Sequence, residues 1–250
     1  MLSKNTVKFI KSLQQKKFRK QENAFFVEGS KNVTELLGSD FKVTHLLYTS
    51  KYEESHYELI QNADAQCFEV TAKQLEAMGS FLTNDSALAV AEIKPNTPFI
   101  LHEDDLVIAL DDVRDPGNLG TIIRIADWYG IKKMVLSEET ADLYNPKVLN
   151  ASMGSFTRLD FYYTPLPAYL KAVDLPVYGA FLEGENIHGV DLQPKGIILM
   201  GNESKGVSPE LAPLVTHKLT IPAFGHAESL NVAVATAVIC DNFRRSRAID

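Results

Sequence analysis

The run Leu230-Asn-Val-Ala-Val-Ala-Thr-Ala-Val-Ile239 constrains this chain more than any other stretch. It reads as a helix with almost no polar position. A helix that is apolar all round must be buried on every side, in the interior or at a subunit interface. Ala233, Ala235 and Ala237 would let another backbone come close. The preceding residues, from Leu219 to Ser229, start as a short strand and continue as a loop holding Pro222 and Gly225. Ser229 is expected to cap the helix, its hydroxyl accepting from a free amide of the first turn. The chain thus drives a helix into its core, with polar side chains gathered at the helix mouth.

The rest of the sequence shows what that core belongs to. At 250 residues and 45% hydrophobic, the chain suits one large or two ordinary domains. Its N-terminus lacks the apolar run of a signal peptide, and no segment approaches the length of a membrane span. Cys67 and Cys240 show no metal or redox spacing, and no His/Cys cluster offers a metal site. Both thiols are expected to be buried, in a protein of the reducing cytoplasm. Net charge is −7, yet residues 1–35 carry eight basic and three acidic side chains, an excess of +5. Lys4, Lys8, Lys11, Lys16, Lys17, Arg19, Lys20 and Lys31 form either a footprint for phosphate contact or a solvated helix face.

In chain order, residues 3–20 read as a basic helix with Val7, Phe9, Ile10 and Leu13 on its apolar side. Strands at 25–29, 43–48, 67–70 and 87–93 then alternate with helices at 31–37, 52–63 and 72–78, the pattern of a small α/β domain. Lys94-Pro-Asn-Thr-Pro98 reads as a linker. The continuous apolar run Leu106–Leu110 opens a second domain as a strand buried on both faces, as in a parallel sheet. A loop over 111–117, a helix over 118–129, and strands at 133–136, 158–163, 177–182 and 196–200 follow. Helices near 145–153 and 165–173 complete a βαβ winding.

Three polar loops follow strands in this second half, where open α/β sheets bind ligands. They are Asp112–Arg124, Leu199–Gly206 and Ile221–Asn231. Taken singly, each is an ordinary turn or cap. Together, Asn118-Leu-Gly120 with Arg124, Leu199-Met-Gly-Asn-Glu203 with Gly206, and Ile221-Pro222 with Ser229-Leu-Asn-Val232 resemble the three signature motifs of the SpoU/TrmH family of RNA 2′-O-ribose methyltransferases, in the SPOUT superfamily. The resemblance spans roughly residues 106–245. More loosely, residues 1–93, with Phe26-Val-Glu-Gly29, resemble the L30e-like RNA-binding domain that precedes the catalytic domain in many members.

The resemblance implies an L30e-like domain over 1–98 and a trefoil-knot α/β domain with a mostly parallel sheet over 105–250. It implies a homodimer with S-adenosylmethionine held in the knot, largely by backbone groups, and no metal. Motif matching carries cofactor binding to Gly201, Ile221 and Leu230, with Ala180 added at the end of its strand. It carries catalysis to Arg124, Asn118, Glu203, Ser229 and Asn231. Guanidinium stays protonated, so Arg124 is expected to clamp a phosphate and polarise the hydroxyl rather than act as a base. Glu203 is expected to pair with Arg124. Phe18, Phe25, Phe224 and His226 are candidates for base stacking. The expected substrate is ribosomal RNA. Transfer RNA, or a non-catalytic ribosome-assembly factor of the same fold, are the alternatives. The missing phosphate loop and dinucleotide motif disfavour a nucleotide-dependent enzyme.

Overall fold

The continuous apolar runs become the central strands of two sheets. The computed structural model describes residues 2–245. It divides into one unit made of the chain up to Pro95 together with Asp142–Thr157, and a second made of Asn96–Ala141 and the chain from Arg158 onward. Asp142–Thr157 lies inside the expected 105–250 span yet belongs to the first unit. Positions 246–250 of that span lie outside the described residues.

The first unit contains α1 (Lys4–Ser12), α2 (Lys16–Glu22), β1 (Ala24–Glu28), α3 (Ser30–Leu37), β2 (Val43–Tyr48), α4 (Ser50–Gln61), β3 (Gln66–Glu69), α5 (Ala72–Met78) and β4 (Ala87–Glu92). The sheet order is β1-β4-β2-β3. β4 runs antiparallel to both neighbours, while β2 and β3 are parallel. Ile10 and Leu13 pack with Leu75 and Met78 over Phe26, Leu47, Leu88 and Val90.

The single basic helix expected over 3–20 is two helices, broken between Ser12 and Lys16. Arg19 explains the break. Its Nη1 donates to Leu13 O and Gln14 O, both at 2.9 Å, satisfying carbonyls that the broken helix leaves open. Its Nη2 meets Asp142 Oδ2 at 2.6 Å, and the residue is only 2% exposed. Arg19 is therefore an internal strut, not a phosphate contact. Lys31 is paired with Glu35. Phe25 is wholly buried, its ring edge-on to Phe41 and Phe156 and tilted against Tyr144, so it packs among core aromatics and offers no face to a base. Cys67 is exposed, against expectation, because β3 is an edge strand with three of its four residues facing solvent. Cys240 is buried, and burial pushes its thiol up to about 12.

The second unit contains β5 (Leu106–Leu110), α6 (Pro116–Trp128), β6 (Lys133–Leu136), β7 (Asp160–Tyr163), α8 (Leu166–Ala172), β8 (Val177–Asn186), β9 (Gly196–Met200), β10 (His217–Thr220) and α9 (Val232–Arg244). The remaining helix, α7 (Pro146–Ser152), falls in the segment grouped with the first unit. The six strands run in the order β10-β8-β9-β5-β6-β7, and every pairing is parallel. Central β5 and β9 are buried along their whole length, as a doubly covered parallel sheet requires. Their carboxyl ends, and that of β10, present the three polar loops.

β8 departs from the ladder on one side. Val177–Gly179 pair with β9 and Tyr178–Gly179 with β10, but pairing with β10 resumes only at Glu185. Residues 180–184 therefore have no register partner. Ala180, expected at a strand end, sits where β8 leaves β9 rather than at the end of β8, because the strand runs on to Asn186 and regains β10 at Glu185.

The last helix begins at Val232, two residues later than expected, and its cap is Asn231 rather than Ser229. It is also not buried all round. Val232, Ala233, Thr236, Ile239, Cys240 and Phe243 face inward. Val234 is 51% exposed, and Ala235, Ala237 and Val238 are half-buried. One chain supplies a core for one stripe of a 3.6-residue helix and leaves the opposite apolar stripe uncovered. Thr236 fits inside because its hydroxyl donates to Val232 O at 2.7 Å.

Candidate active site

The site starts from a helix cap. Asp115 caps α6 by accepting from Asn118 N at 2.8 Å, and Pro116 fits the first turn, where no donor is needed. The helix thus begins at Pro116, two residues before Asn118, where it was expected to start. The cap fixes Asn118 at the helix mouth with its side chain free to reach out.

The loop after β9 is tied to the loop after β5. Asn202 Nδ2 donates to Asp112 O at 2.7 Å, and Asn202 Oδ1 accepts from Ser204 N at 3.0 Å and Lys205 N at 3.1 Å. Backbone bonds of 3.0 and 2.9 Å then join Asn202 to Gly206, which has φ +68°. Gly201 is needed for this fold-back. A Cβ there would lie 2.1 Å from Gly206 C and 2.2 Å from Val207 N. Asp112 holds a left-handed φ of +58°, supported by its N–H to Ser137 Oγ at 2.9 Å.

These restraints bring one residue from each motif into a line. Asn231 Oδ1 accepts from Ala233 N at 2.9 Å and Val234 N at 3.3 Å at the start of α9. Its Nδ2 must then be the outward donor, and it reaches Asn118 Oδ1 at 2.9 Å. Asn118 Nδ2 in turn donates to Glu203 Oε1 at 3.0 Å, with Asp115 N at 3.4 Å from the same oxygen. The relay has one sense, set by the helix amides. It begins at the positive end of α9 and ends on a carboxylate.

The structure therefore brings Asn118, Glu203 and Asn231 together, but not Arg124 or Ser229. Glu203 is held by Asn118, not by Arg124 as expected, because Asn118 already presents its donor at the helix mouth. Arg124 is exposed on α6, with no hydrogen bond or ion pair among the described residues. It lies six residues beyond Asn118, about 9 Å along the axis and about 120° round. Ser229 is exposed in the loop before Asn231. Gly201 is buried, Ala180 and Ile221 are half-buried, and Leu230 is 49% exposed. Gly201 directly follows β9, Ile221 directly follows β10, and Ala180 opens the stretch of β8 without a register partner.

A cavity of about 840 Å³ opens where the loops after β5, β6 and β9 meet α8. It is lined by Asp112, Asn202 and Gly206, but by none of Asn118, Glu203 and Asn231. Sequence reasoning missed the tethers. Asp115 carried a signal, since Asp before Pro is a helix-start pair. Asn202 and Asp112 carried none, because their partners lie 90 positions apart.

Comparison with known proteins adds the lineage. The SpoU rRNA Methylase family matches residues 105–241, and an MRM3-like substrate binding domain matches residues 4–89. The chain is 34% identical, over 95% of its own length and 95% of the relative's, to the 23S rRNA (guanosine(2553)-2′-O)-methyltransferase RlmP of Bacillus subtilis. It is 28% identical to the 23S rRNA (uridine(2479)-2′-O)-methyltransferase of Streptomyces viridochromogenes, over 91% of this chain and 85% of that one. The solved structure of an AdoMet-bound rRNA methyltransferase from Sinorhizobium meliloti superposes with a TM-score of 0.87 at 31% identity, covering 98% of this chain and 96% of that one.

Proposed function

Because this chain belongs to the SpoU rRNA methylase family, we propose that it transfers the methyl group of S-adenosylmethionine to a ribose 2′-hydroxyl of ribosomal RNA. The observation that carries the reading is the one-way relay from Asn231 through Asn118 to Glu203, which joins all three motifs. A relay that ends on a carboxylate suits a cationic donor group. The half-buried aliphatics Ile221 and Ala180, beside backbone of β8 without a register partner, suit a nucleoside bound by main chain. Gly201, Ile221, Leu230 and Ala180 would hold the cofactor, which supplies an electrophilic methyl on sulfonium sulfur.

The chain's own task is alignment and removal of the hydroxyl proton. Arg124 stands unpaired and so is available to a phosphate of the incoming strand. Gripping the phosphate next to the target ribose would place and polarise the 2′-hydroxyl. Asn118 and Asn231 hold Glu203 at a fixed position. Ser229, exposed two residues before the Asn231 cap, would contact ribose or cofactor. No metal ligand set is needed for this chemistry, and no cluster of metal-ligating side chains occurs among the described residues.

The uncovered stripe of α9 supports a homodimer, and the motif-three loop between β10 and α9 supports the trefoil knot of the superfamily. An RNA substrate and two free thiols favour the cytoplasm. Val234→Glu tests the dimer. Val234 is half-exposed in the single chain, so the fold should survive, while sedimentation at micromolar concentration should move from twice the chain mass to one. A wild-type monomer would remove the dimer from the proposal.

For the activity, calorimetry should show S-adenosylmethionine binding that chelators leave unchanged. Mapping of 2′-O-methyl sites in total RNA, with and without the gene, should reveal one site lost from ribosomal RNA. Loss confined to transfer RNA would overturn the substrate, and loss nowhere would overturn the activity.

A further inference from the structure

The outer face of α6 bears a side chain that the site does not yet use. Leu119, Gly120, Ile122, Ile123 and Ala126 form the buried face of this helix. Thr121, Arg124 and Trp128 lie opposite, all exposed, on successive turns and within about 60° of arc. Trp128 is the only tryptophan of the chain, and it is 84% exposed. Among the described residues no ring and no cation stacks on it. A single apolar side chain in water is ordinary. Trp128 differs in how it is mounted and in what stands beside it.

The residues on either side of Trp128 are tied down. Asp127 holds the guanidinium of Arg158, with Nη2 at 2.7 Å and Nε at 3.0 Å from Oδ2. Tyr129 O accepts from Arg244 Nε at 2.8 Å, and the Tyr129 hydroxyl donates to Asp241 Oδ1 at 3.4 Å. Gly130, at φ +65°, ends the helix. The indole is thus carried by a rigid helix end, which suits recognition better than a loop does. Arg124 sits four residues earlier, about 6 Å back along the axis and about 40° round. Residues so spaced are surface neighbours, and long helical side chains lean toward the helix N-terminus. The indole is thereby directed over the turn that bears Arg124. The N-terminus of the same helix is the mouth where Asn118 donates to Glu203.

A guanidinium without a partner suits a phosphate, and an uncovered indole suits the face of a base. An unpaired strand offers both side by side. We propose that Trp128 contacts the substrate directly, stacking on the base of a nucleotide next to the target ribose while Arg124 holds the phosphate between them. Every base has such a face, so the contact selects an unpaired neighbour rather than a sequence. A duplex offers none, because its bases are stacked inside. A second copy of this chain suits the patch less well. Covered by protein, Arg124 would need a carboxylate. The acidic side chains nearest to it on α6 are committed, Asp127 to Arg158 and Asp115 to the helix cap. The uncovered stripe of α9, by contrast, is made of Val234, Ala235, Ala237 and Val238 and asks for no counter-ion.

Because Trp128 is the only indole, its emission reports on this contact alone. The full chain is titrated with single-stranded oligoadenylate and with an abasic oligomer of equal length, across a range of protein concentrations. Oligoadenylate should quench the emission to saturation, the abasic oligomer should not, and protein concentration should make no difference. In anisotropy with labelled oligoadenylate, Trp128→Ala should weaken binding roughly tenfold, and Trp128→Phe, which keeps a ring, should return to within about threefold of wild type. Single-turnover methyl transfer is then measured on ribosomal RNA from cells lacking the gene. Trp128→Ala should raise the RNA concentration for half-maximal rate about tenfold and lower the saturated rate less than about threefold. Thermal unfolding, sedimentation and calorimetry with S-adenosylmethionine should be unchanged in both variants. Absent quenching, equal quenching by the abasic oligomer, or wild-type affinity in Trp128→Ala each overturns the stacking. Emission that follows protein concentration instead of RNA, with a monomeric Trp128→Ala, gives the patch to a second copy and overturns it too. The contact rests on the RNA-methyltransferase reading, yet the two fail separately. A wild type that methylates ribosomal RNA beside an unimpaired Trp128→Ala removes the stacking alone. Base-dependent quenching in a protein that transfers no methyl group upholds the stacking and overturns the proposed activity.

Discussion

Arg124→Ala should abolish methyl transfer while leaving the fold and cofactor binding close to native. The residue is exposed on α6 and has no partner among the described residues, so its removal takes no support from the core. Its neighbours on the helix, Ile122 and Ile123, carry the packing. What disappears is an exposed cation that, under the proposed function, would grip the phosphate beside the target ribose. Removing one preorganised electrostatic group commonly costs about 3 kcal/mol, or roughly a hundredfold in rate. Arg124→Lys should rescue poorly, since an ammonium lacks the planar fork that grips and aligns a phosphate. Single-turnover rates at saturating RNA and cofactor separate this loss from weakened binding. Near-native rates in Arg124→Ala would shift the proton-handling role to Glu203, which the relay already holds in place.

The second large effect is expected at Gly201. Gly201→Ala should destabilise the second unit and remove S-adenosylmethionine binding together. The added methyl would meet backbone atoms of Gly206 and Val207 rather than a flexible side chain, so the strand-to-loop turn must open. Overpacking a well-packed site costs about 1–3 kcal/mol, and a clash with backbone belongs at the top of that range. For a chain of this size about 3 kcal/mol corresponds to a fall in Tm of roughly 6–12 °C. The opened turn would also pull Asn202 from Asp112 and carry Glu203 away from Asn118. Thermal unfolding and calorimetry on the same preparation check both parts. A stable variant that still binds cofactor would show that the fold-back of Gly201 on Gly206 is not required.

Comparing these sites with the sequence shows which physical signals are local. β5 and β9 were legible as uninterrupted apolar runs because burial on both faces leaves no room for alternation. The motif residues Asn118, Glu203 and Asn231 were legible only as members of a resemblance, and their hydrogen-bonded order was not. That order depends on the Asn231 side-chain amide being turned by the amides of α9. Ser229 and Asn231 are both good capping residues, and nothing within four positions distinguishes them. Asn231 is favoured by its second bond, to Asn118, which lies 113 positions away. Arg19 failed for the same reason. Its composition matched a basic surface, but its partner Asp142 is 123 positions distant. Long-range polar bonds leave no periodicity to read.

The grouping of Asp142–Thr157 with the first unit has a consequence for dissection of the protein. α7 lies in that segment, with Val148 and Leu149 wholly buried, and Phe156 sits against Phe25 and Phe41 of the first unit. Asp142 balances the buried Arg19. Cutting the chain once, anywhere in 94–104, would therefore release neither half intact. The N-terminal fragment would keep a buried guanidinium without its counter-ion and lose the aliphatic lid on β1. The C-terminal fragment would carry that lid as a sticky orphan. A clean separation needs three cuts, or a graft that returns 142–157 to the first unit by a linker, so the two parts are inherited, expressed and degraded as one object.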